Sequence, residues 1–263
     1  MSEASGETGG FLRRLRYRIH FAAACLVGGF FFVAFSLWAV FKIAVLKRDR
    51  QDVMDGWIHP WYRIMSATLG WEMPVDGEER FETSRPAVIV INHQSNLDIV
   101  LWARFFPAAT VIVGKKQIRK IPIFGYIFQG TRNILIDREN AERARRSLED
   151  AARRIRTERL NVWMAPEGHR NLGAEMLPFK KGAFHLAVEA QVPVLPVVVG
   201  PVWSVFDGRR LLNRPGEIRT RILPPIPTEG LSEKDIDPLV TRVRAAMDEV
   251  RRELMASAGP RIG

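Results

Sequence analysis

The chain has 263 residues, of which 47% are hydrophobic and 26% charged, with one cysteine and a formal net charge of +10. This composition is typical of a globular protein, and one cysteine excludes a disulfide framework or a thiolate metal cluster. The five histidines lack a metal-ligand spacing, which argues against a metal site. The basic excess favours an anionic membrane surface over nucleic acid, because no zinc-finger, RNP or helix-turn-helix pattern is present.

An uncharged apolar stretch near the N-terminus predicts attachment to a membrane. Residues 1–12 are predicted to be disordered, since they are rich in glycine, serine and glutamate. Basic residues follow, and then the 23 residues of Ile19–Phe41 carry no formal charge. As a helix they would measure about 34 Å, enough to cross a hydrocarbon core of about 30 Å. The stretch is too long for a cleaved signal peptide.

Two arrangements of this stretch stay open, a single transmembrane span and a membrane-dipping helix that returns to the same side. Four basic residues lie on each side of it, so the positive-inside rule assigns no orientation, and the returning helix is preferred. Residues 52–71 carry three tryptophans and a tyrosine, a density that favours an interfacial helix at the level of the lipid headgroups. A core helix with aromatic anchors is the alternative. Residues 13–74 are therefore predicted to form a membrane-embedded two-helix segment.

Residues 75–263 have the pattern of a catalytic α/β domain. Amphipathic patterns predict helices over 139–159 and over 232–257, the second beginning at Ser232. Alternating strands and helices indicate a largely parallel central sheet flanked by helices. The predicted strands are short apolar runs at Ala87–Ile91, Thr110–Val113, Asn133–Ile136, Leu160–Met164, Val194–Val199 and Glu217–Ile222.

A His-x4-Asp pair follows the first of these strands. His93 is expected at the carboxyl end of the strand, where open α/β sheets place their ligand crevices. Ser95 is predicted to cap the next helix, which would let Asp98, one turn into it, fold back beside the imidazole. A carboxylate on one ring nitrogen leaves the other free to accept a proton. The pair therefore predicts a general base.

Cationic residues are predicted to gather at the same edge of the sheet. Lys115, Arg138 and Arg170 each follow a predicted strand, and their side chains are of the kinds that bind phosphate oxygens. No G-x-S-x-G nucleophile elbow is present. The nucleophile would therefore be a hydroxyl of the substrate, activated by His93.

Five motifs occur in order along the chain: N-H-Q-S-N-L-D (92–98), I-D-R (136–138), P-E-G-H-R (166–170), L-P-F-K-K-G-A-F (177–184) and V-P-V-L-P (192–196). On these motifs the chain resembles the glycerolipid acyltransferase family, specifically the bacterial 1-acyl-sn-glycerol-3-phosphate acyltransferases. The resemblance covers roughly residues 85–225. It implies the glycerolipid acyltransferase fold, and a location at the inner (cytoplasmic) membrane with the catalytic domain on the cytoplasmic side.

The resemblance also implies roles for single residues. His93 would deprotonate the sn-2 hydroxyl of lysophosphatidic acid, Asp98 would orient His93, and the alkoxide would attack the thioester directly, without an acyl-enzyme or a cofactor. The implied partners are membrane lipids and an acyl donor, acyl-CoA or acyl carrier protein, and not nucleic acid. The residues implied to hold the glycerol-phosphate head are Lys115, Arg138, Glu167, Gly168, His169 and Arg170.

One position departs from the family pattern, because His169 stands where the family commonly has threonine. It either replaces that threonine as a phosphate donor or indicates another head group, so acylation of a lyso-ornithine lipid or a lysophospholipid stays open. A non-enzymatic membrane scaffold on this fold is a further alternative, disfavoured by the intact His93 and Asp98. Substitution of Arg138 distinguishes the acceptors, since it should impair transfer to a phosphomonoester far more than to a zwitterionic lipid.

Overall fold

The computed structural model describes residues 2–107, 109–136, 141–171 and 175–262. Short 3-10 helices lie at Lys116–Lys120, Val202–Ser204 and Glu233–Asp235. The α-helices are α1 (Ser2–Ala44), α2 (Arg50–Asp55), α3 (Ile58–Leu69), α4 (Arg80–Thr83), α5 (Asp98–Arg104), α6 (Phe124–Gly130), α7 (Ala141–Glu158), α8 (Gly182–Ala190) and α9 (Ile236–Ser257).

The strands alternate with these helices along much of the catalytic domain. They are β1 (Trp71–Glu72), β2 (Val75–Asp76), β3 (Val88–Ile91), β4 (Thr110–Lys115), β5 (Ile134–Ile136), β6 (Asn161–Met164), β7 (Val194–Val199), β8 (Phe206–Asp207), β9 (Leu212–Asn213), β10 (Gly216–Glu217) and β11 (Thr220–Ile222).

A seven-stranded sheet in the order β2-β11-β7-β3-β6-β4-β5 forms the centre of the molecule. Only the β11–β7 pair within it is antiparallel, so the predicted largely parallel sheet is confirmed. The predicted strand Glu217–Ile222 is two strands. Glu217 belongs to β10, which pairs with β1, whereas β11 pairs with β2 and β7. Hydrophobic pattern alone does not show that neighbouring residues join different sheets.

The two faces of the sheet bury two separate hydrophobic cores. Ile89 and Ile91 of β3 pack in the core that also contains α1, α3 and α5, whereas Val88 and Val90 pack in the core formed with α7, α8 and α9. Successive side chains of a strand point to opposite faces, so a strand covered on both sides must be apolar throughout. This requirement explains the uninterrupted apolar run before His93.

The apolar N-terminal stretch forms a helical hairpin with α3. The Nε1–H of Trp61 donates to the backbone oxygen of Gly28 at 3.0 Å, and the Nε1–H of Trp57 donates to Ser36 Oγ at 3.2 Å. Both indoles and that of Trp71 are buried. The prediction of an interfacial helix with headgroup-level tryptophans is therefore wrong for these residues. Helix α3, which contains Trp61 and follows Trp57, is the core helix that was the alternative, and Trp71 lies in β1. The apolar surface of α3 is covered by α1, a partner that periodicity does not reveal.

Helix α1 is longer than predicted. It begins at Ser2, where disorder was predicted over residues 1–12, and continues to Ala44. Once a helix has nucleated, each added residue gains a hydrogen bond at little further cost, so helix can extend into a polar segment. Just after the C-terminal end of α1, the Asp52 carboxylate forms ion pairs with Arg48 at 2.9 Å and with Lys42 of α1 at 3.2 Å. The hydrogen bond from Arg48 lowers the pKa of Asp52, and the one from Lys42 lowers it further.

The outer face of α1 is apolar and uncovered. Over Gly10–Ala44 this helix is long and apolar enough to cross a membrane, by length and composition. Its exposed large side chains recur at helical spacing on one side, and Ile121, Ile123 and Tyr126 add to the exposed apolar surface. The residues of α1 that form this face include Leu26, Phe30, Val33, Leu37 and Phe41. A patch of this size on a helix is typical of a surface that contacts lipid.

Candidate active site

The predicted His–Asp pair is present at the carboxyl end of β3. The Nδ1–H of His93 donates to Asp98 Oδ2 at 2.7 Å. The carboxylate is nearly buried, with 3% of its side chain exposed, whereas 24% of the imidazole is exposed. Among the residues that the structure describes, Nε2 of His93 has no hydrogen-bond partner. The geometry therefore leaves that nitrogen available to accept a proton from a molecule in the crevice.

The loop between His93 and Asp98 is built differently from its prediction. Asp98 is the first residue of α5, and its Oδ2 also accepts from the backbone N–H groups of Gln94 at 2.6 Å and Ser95 at 3.0 Å. Ser95 does not cap the helix, since its Oγ accepts from Leu97 N at 3.1 Å, within the turn. Asp98 itself takes up the free N–H groups before the helix. The carboxylate is thus fixed by the loop as well as by the imidazole.

Two buried amide side chains anchor this loop to β7. Asn92 donates to and accepts from the backbone of Val199, at 2.9 and 2.8 Å. The Nε2 group of Gln94 donates to the backbone oxygens of Val199 at 3.0 Å and of Gly200 at 2.9 Å. Neither residue was predicted as part of the site. The only sequence signal was a pair of amides beside the histidine, and their partners lie more than 100 positions away.

Glu167 connects three loops of the site. Its Oε1 accepts from the backbone N of His93 at 3.0 Å, and its Oε2 accepts from the backbone N of Leu177 at 2.9 Å. The backbone N of Asn171 donates in turn to the His93 oxygen at 2.7 Å. Burial lowers the pKa of Arg251 on α9, and the charge of Glu167 opposes that shift. Both carboxylate oxygens of Glu167 accept hydrogen bonds from backbone N–H groups. This placement favours a positioning role over direct contact with a phosphate.

Gly168 makes a turn that brings a lysine over the backbone. Its φ of +70° lies in the left-handed region, which glycine adopts without strain. A Cβ at this position would lie 2.6 Å from Nζ of Lys180. Lys180 belongs to the L-P-F-K-K-G-A-F motif but was given no role. The structure places its ammonium group beside the P-E-G-H-R turn, where it adds a positive charge.

A cavity of about 480 Å³ opens beside the His–Asp loop. Arg170 and Asn171 line it together with the loop residues Gln94–Leu97. The opposite wall consists of Phe21 from α1 and residues of the segment from Val202 to Leu211. Arg170 and His169 are both exposed. The cavity is thus bordered by the His–Asp loop, an arginine and helix α1.

The other two predicted cations are only partly described. β4 ends at Lys115, which pairs with Ile136 at the end of the parallel strand β5, so both strands end at the same edge of the sheet. The side chain of Lys115 and all of Arg138 lie outside the described part of the chain. The described residues brought together around His93 are Asp98, Glu167, Gly168 and Arg170, with His169 exposed next to them.

Comparison with known proteins identifies the family. Residues 72–200 match the sequence model of the acyltransferase family. The chain is 35% identical over 202 residues to a 1-acyl-sn-glycerol-3-phosphate acyltransferase of Haemophilus influenzae, which covers 77% of this chain and 82% of that protein. This chain belongs to the glycerolipid acyltransferase family. The resemblance carried by the five motifs is confirmed.

Further comparisons agree with this assignment of the acyltransferase. This chain is 37% identical over 185 residues to the human 1-acyl-sn-glycerol-3-phosphate acyltransferase alpha. The alignment covers 70% of this chain and 65% of the human protein. The crystal structure of the 1-acyl-sn-glycerophosphate acyltransferase PlsC from Thermotoga maritima matches with a TM-score of 0.73 and 25% identity, over 92% of this chain and 97% of that one. The predicted acyltransferase fold is therefore confirmed.

The position of Glu167 in this acyltransferase leads to a test of its role. We expect Glu167→Gln to lower kcat by about 10-fold or more, because the amide would place a donor where one of two backbone N–H groups needs an acceptor. KM for the acceptor should change little if Glu167 acts through His93 and not on the phosphate. Steady-state kinetics of the purified variant separates the two parameters. A rise in KM alone would instead support the head-group contact that the resemblance implies.

Proposed function

We propose that this acyltransferase moves a fatty acyl group from an acyl thioester to the sn-2 hydroxyl of 1-acyl-sn-glycerol-3-phosphate, giving phosphatidic acid. The observation that carries the proposal is the 2.7 Å contact between His93 Nδ1 and Asp98 Oδ2, in a partly exposed imidazole beside the cavity lined by Gln94–Leu97. The names of the relatives from Haemophilus influenzae and human support this acceptor.

The chemistry follows from the orientation of the imidazole. Nε2 of His93 takes the proton of the sn-2 hydroxyl as the oxygen attacks the thioester carbonyl carbon. Asp98 stabilises the imidazolium that forms, through the Nδ1–H bond. Collapse of the tetrahedral intermediate breaks the carbon–sulfur bond, and the imidazolium returns its proton to the departing thiolate. The hydroxyl is the nucleophile, so no residue of the protein carries the acyl group.

Positive charges near the crevice support a phosphate-bearing acceptor. Arg170 lines the cavity beside the His–Asp loop, and Lys180 lies over Gly168. Guanidinium and ammonium groups bind phosphate oxygens by charge-assisted hydrogen bonds. Lys115 and Arg138 complete the set that the family resemblance implies. His169, in place of the usual threonine, is exposed next to Arg170 in the chain and can donate to the same phosphate.

An acceptor panel tests the function. Membranes containing the wild-type protein are incubated with a labelled acyl thioester and lysophosphatidic acid, lysophosphatidylcholine or lyso-ornithine lipid. We expect phosphatidic acid to be the main product. Arg138→Ala should lower transfer to lysophosphatidic acid by about 10-fold or more and transfer to the zwitterionic lipids much less, because it removes a charged hydrogen bond to the phosphate. Arg153→Ala, which removes an exposed arginine paired with Asp150, is the matched control.

The opposite preference would reassign the acceptor. If lyso-ornithine lipid or lysophosphatidylcholine is acylated faster than lysophosphatidic acid, the reaction class stands and His169 becomes the residue to examine. If Arg138→Ala affects all acceptors equally, the phosphate contact is wrong.

The hairpin supports a location on one face of the membrane, for which we propose the cytoplasmic side of the inner membrane. Both halves of α1 contact the catalytic domain: the Nε–H of Arg18 donates to the Arg210 oxygen at 3.2 Å, and Ile43 lies against Gly130. A helix held at both ends in this way presents its exposed apolar face sideways to one leaflet. Protease protection on sealed vesicles tests this, and epitopes at residue 12 and residue 258 should be digested from the same side. Protection of only one epitope would indicate a spanning helix.

A further inference from the structure

A second cleft, rich in arginine, lies beyond the cavity at the His–Asp loop. Its volume is about 420 Å³. Two aromatic residues and three arginines from separate segments line it: Trp203, Phe206, Arg209, Arg210 and Arg261. None of these residues belongs to the five motifs that define the family in this chain. The proposed acyl transfer therefore leaves this cleft without a role.

The C-terminal segment is fixed against the cleft by specific contacts. The backbone N of Ile262 donates to the Trp203 oxygen at 3.2 Å, and Nη2 of Arg214 donates to the Pro260 oxygen at 2.9 Å. Ile262 is buried. The guanidinium carbon of Arg261, between these anchors, lies 5.3 Å from the centroid of the Trp203 ring. The aromatic ring and the arginine are thus held together at one wall of the cleft.

The charges of the cleft are largely uncompensated. Oδ1 of Asp207 accepts from the backbone N–H groups of Arg209 at 2.9 Å and Arg210 at 3.1 Å, which shapes the turn between β8 and β9. In the described part of the chain, only the Arg210 side chain pairs with that carboxylate, at 3.9 Å. Among the described residues, neither Arg209 nor Arg261 forms an ion pair with a carboxylate. Such a cleft attracts an anion with several negative charges.

The cleft and the catalytic cavity share a wall. Trp203, Phe206, Gly208 and Arg209 line both of them. The catalytic cavity continues from that wall to the loop residues Gln94–Leu97. A ligand whose charged end lies in the cleft can therefore extend a narrow chain along the shared wall to the loop that directly follows His93.

We propose that this cleft binds the nucleotide end of acyl-CoA, so that acyl-CoA is the acyl donor; this rests on the proposed acyl transfer. The phosphates would pair with Arg209, Arg210 and Arg261, the adenine would stack on the Trp203–Arg261 pair, and the pantetheine arm would carry the thioester to His93. An indole and a guanidinium are the side chains on which planar bases stack. A concave cleft with a stacking surface fits a nucleotide better than the convex face of an acidic carrier protein.

The test compares two thioesters that differ only in the nucleotide end. Palmitoyl-CoA and palmitoyl-pantetheine are used with lysophosphatidic acid, and the ratio of their kcat/KM values is measured for detergent-purified protein. We expect Arg261→Glu and Arg209→Glu each to lower this ratio by about 10-fold or more, because each replaces a phosphate partner with a like charge. Arg242→Glu, an exposed residue of α9 outside the cleft, should leave the ratio unchanged.

Direct binding separates this proposal from the proposed function. Adenosine 3′,5′-bisphosphate should bind the wild-type protein in equilibrium dialysis, and Arg261→Glu should weaken that binding by about 10-fold or more. If neither thioester supports transfer to lysophosphatidic acid but the bisphosphate binds in this manner, the proposed function fails and the cleft assignment stands.

Other outcomes would overturn the assignment. An unchanged ratio in both cleft variants together with unchanged bisphosphate binding would exclude the nucleotide from the cleft. If the variants impair transfer from acyl carrier protein and not from palmitoyl-CoA, the occupant is an acidic protein. If they reduce only binding to phosphatidylglycerol vesicles, the cleft contacts lipid headgroups.

Discussion

Replacing His93 with alanine is expected to lower kcat by about 10²–10⁴-fold, the usual contribution of a positioned general base. The loss should appear in turnover and not in folding. The contacts from the His93 main chain to Glu167 and Asn171 use backbone atoms, and these remain in the variant. Asp98 Oδ2 also keeps two backbone N–H donors, from Gln94 and Ser95, when the imidazole is removed, so the loop retains most of its hydrogen bonds. Phosphatidic acid formation by purified protein, with thermal unfolding measured in parallel, checks both expectations.

The matched control for this prediction is His59→Ala, which removes a partly exposed histidine paired with Asp55. It should retain the turnover of the wild-type protein. Undiminished turnover by His93→Ala would mean that another group takes the hydroxyl proton. A variant that loses turnover together with most of its thermal stability would point to a structural role. We expect His93→Ala to retain its thermal stability and to lose turnover.

The parts of the site that depend on short-range geometry were predictable. The strand before His93 is apolar because both faces of the sheet are covered, and the five-residue spacing to Asp98 allows the carboxylate to return to the imidazole. Even here, the capping assignment of Ser95 was wrong, because its Oγ accepts from Leu97 N within the turn, and Asp98 takes the N–H groups of Gln94 and Ser95 before α5. A turn of this length has several ways to satisfy the same donors, and residue type alone does not select one.

The parts that depend on distant partners were not predictable. Glu167 bonds the backbone of His93, 74 positions before it, and such a contact leaves no local pattern. The tryptophans of the hairpin were assigned to the membrane interface because an apolar aromatic stripe has the same pattern whether lipid or another helix covers it. The hydrogen bond that Trp61 Nε1–H donates to the Gly28 oxygen shows that α1 covers the aromatic stripe in this chain. Lys180 was likewise unassigned, since its role arises only from the left-handed turn at Gly168.

Replacing Asp98 with asparagine is expected to lower kcat by a factor comparable to that of His93→Ala, about 10²–10⁴-fold. The amide has no negative charge to stabilise the imidazolium that forms when His93 accepts the hydroxyl proton. Oδ2 of Asp98 also accepts from three N–H donors, so an NH₂ group in that place would face donors only. Turnover and acceptor KM, measured by the same phosphatidic acid assay, should show the loss in kcat.

Asp98→Asn should also reduce the stability of the protein. Measuring stability beside turnover separates the two functions of the carboxylate, which are to stabilise the imidazolium and to accept hydrogen bonds within the loop. If the amide oxygen keeps the three donors, its NH₂ group takes the place of Oδ1, a buried atom without a hydrogen-bond partner in the described structure. Burying that donor unpaired costs about 1–3 kcal/mol in the free energy of unfolding, which denaturant titration would measure. Asp150→Asn, at an exposed site on α7, should show neither effect. Near-normal turnover in Asp98→Asn would mean that the loop alone orients His93, and that its charge is balanced by the substrate.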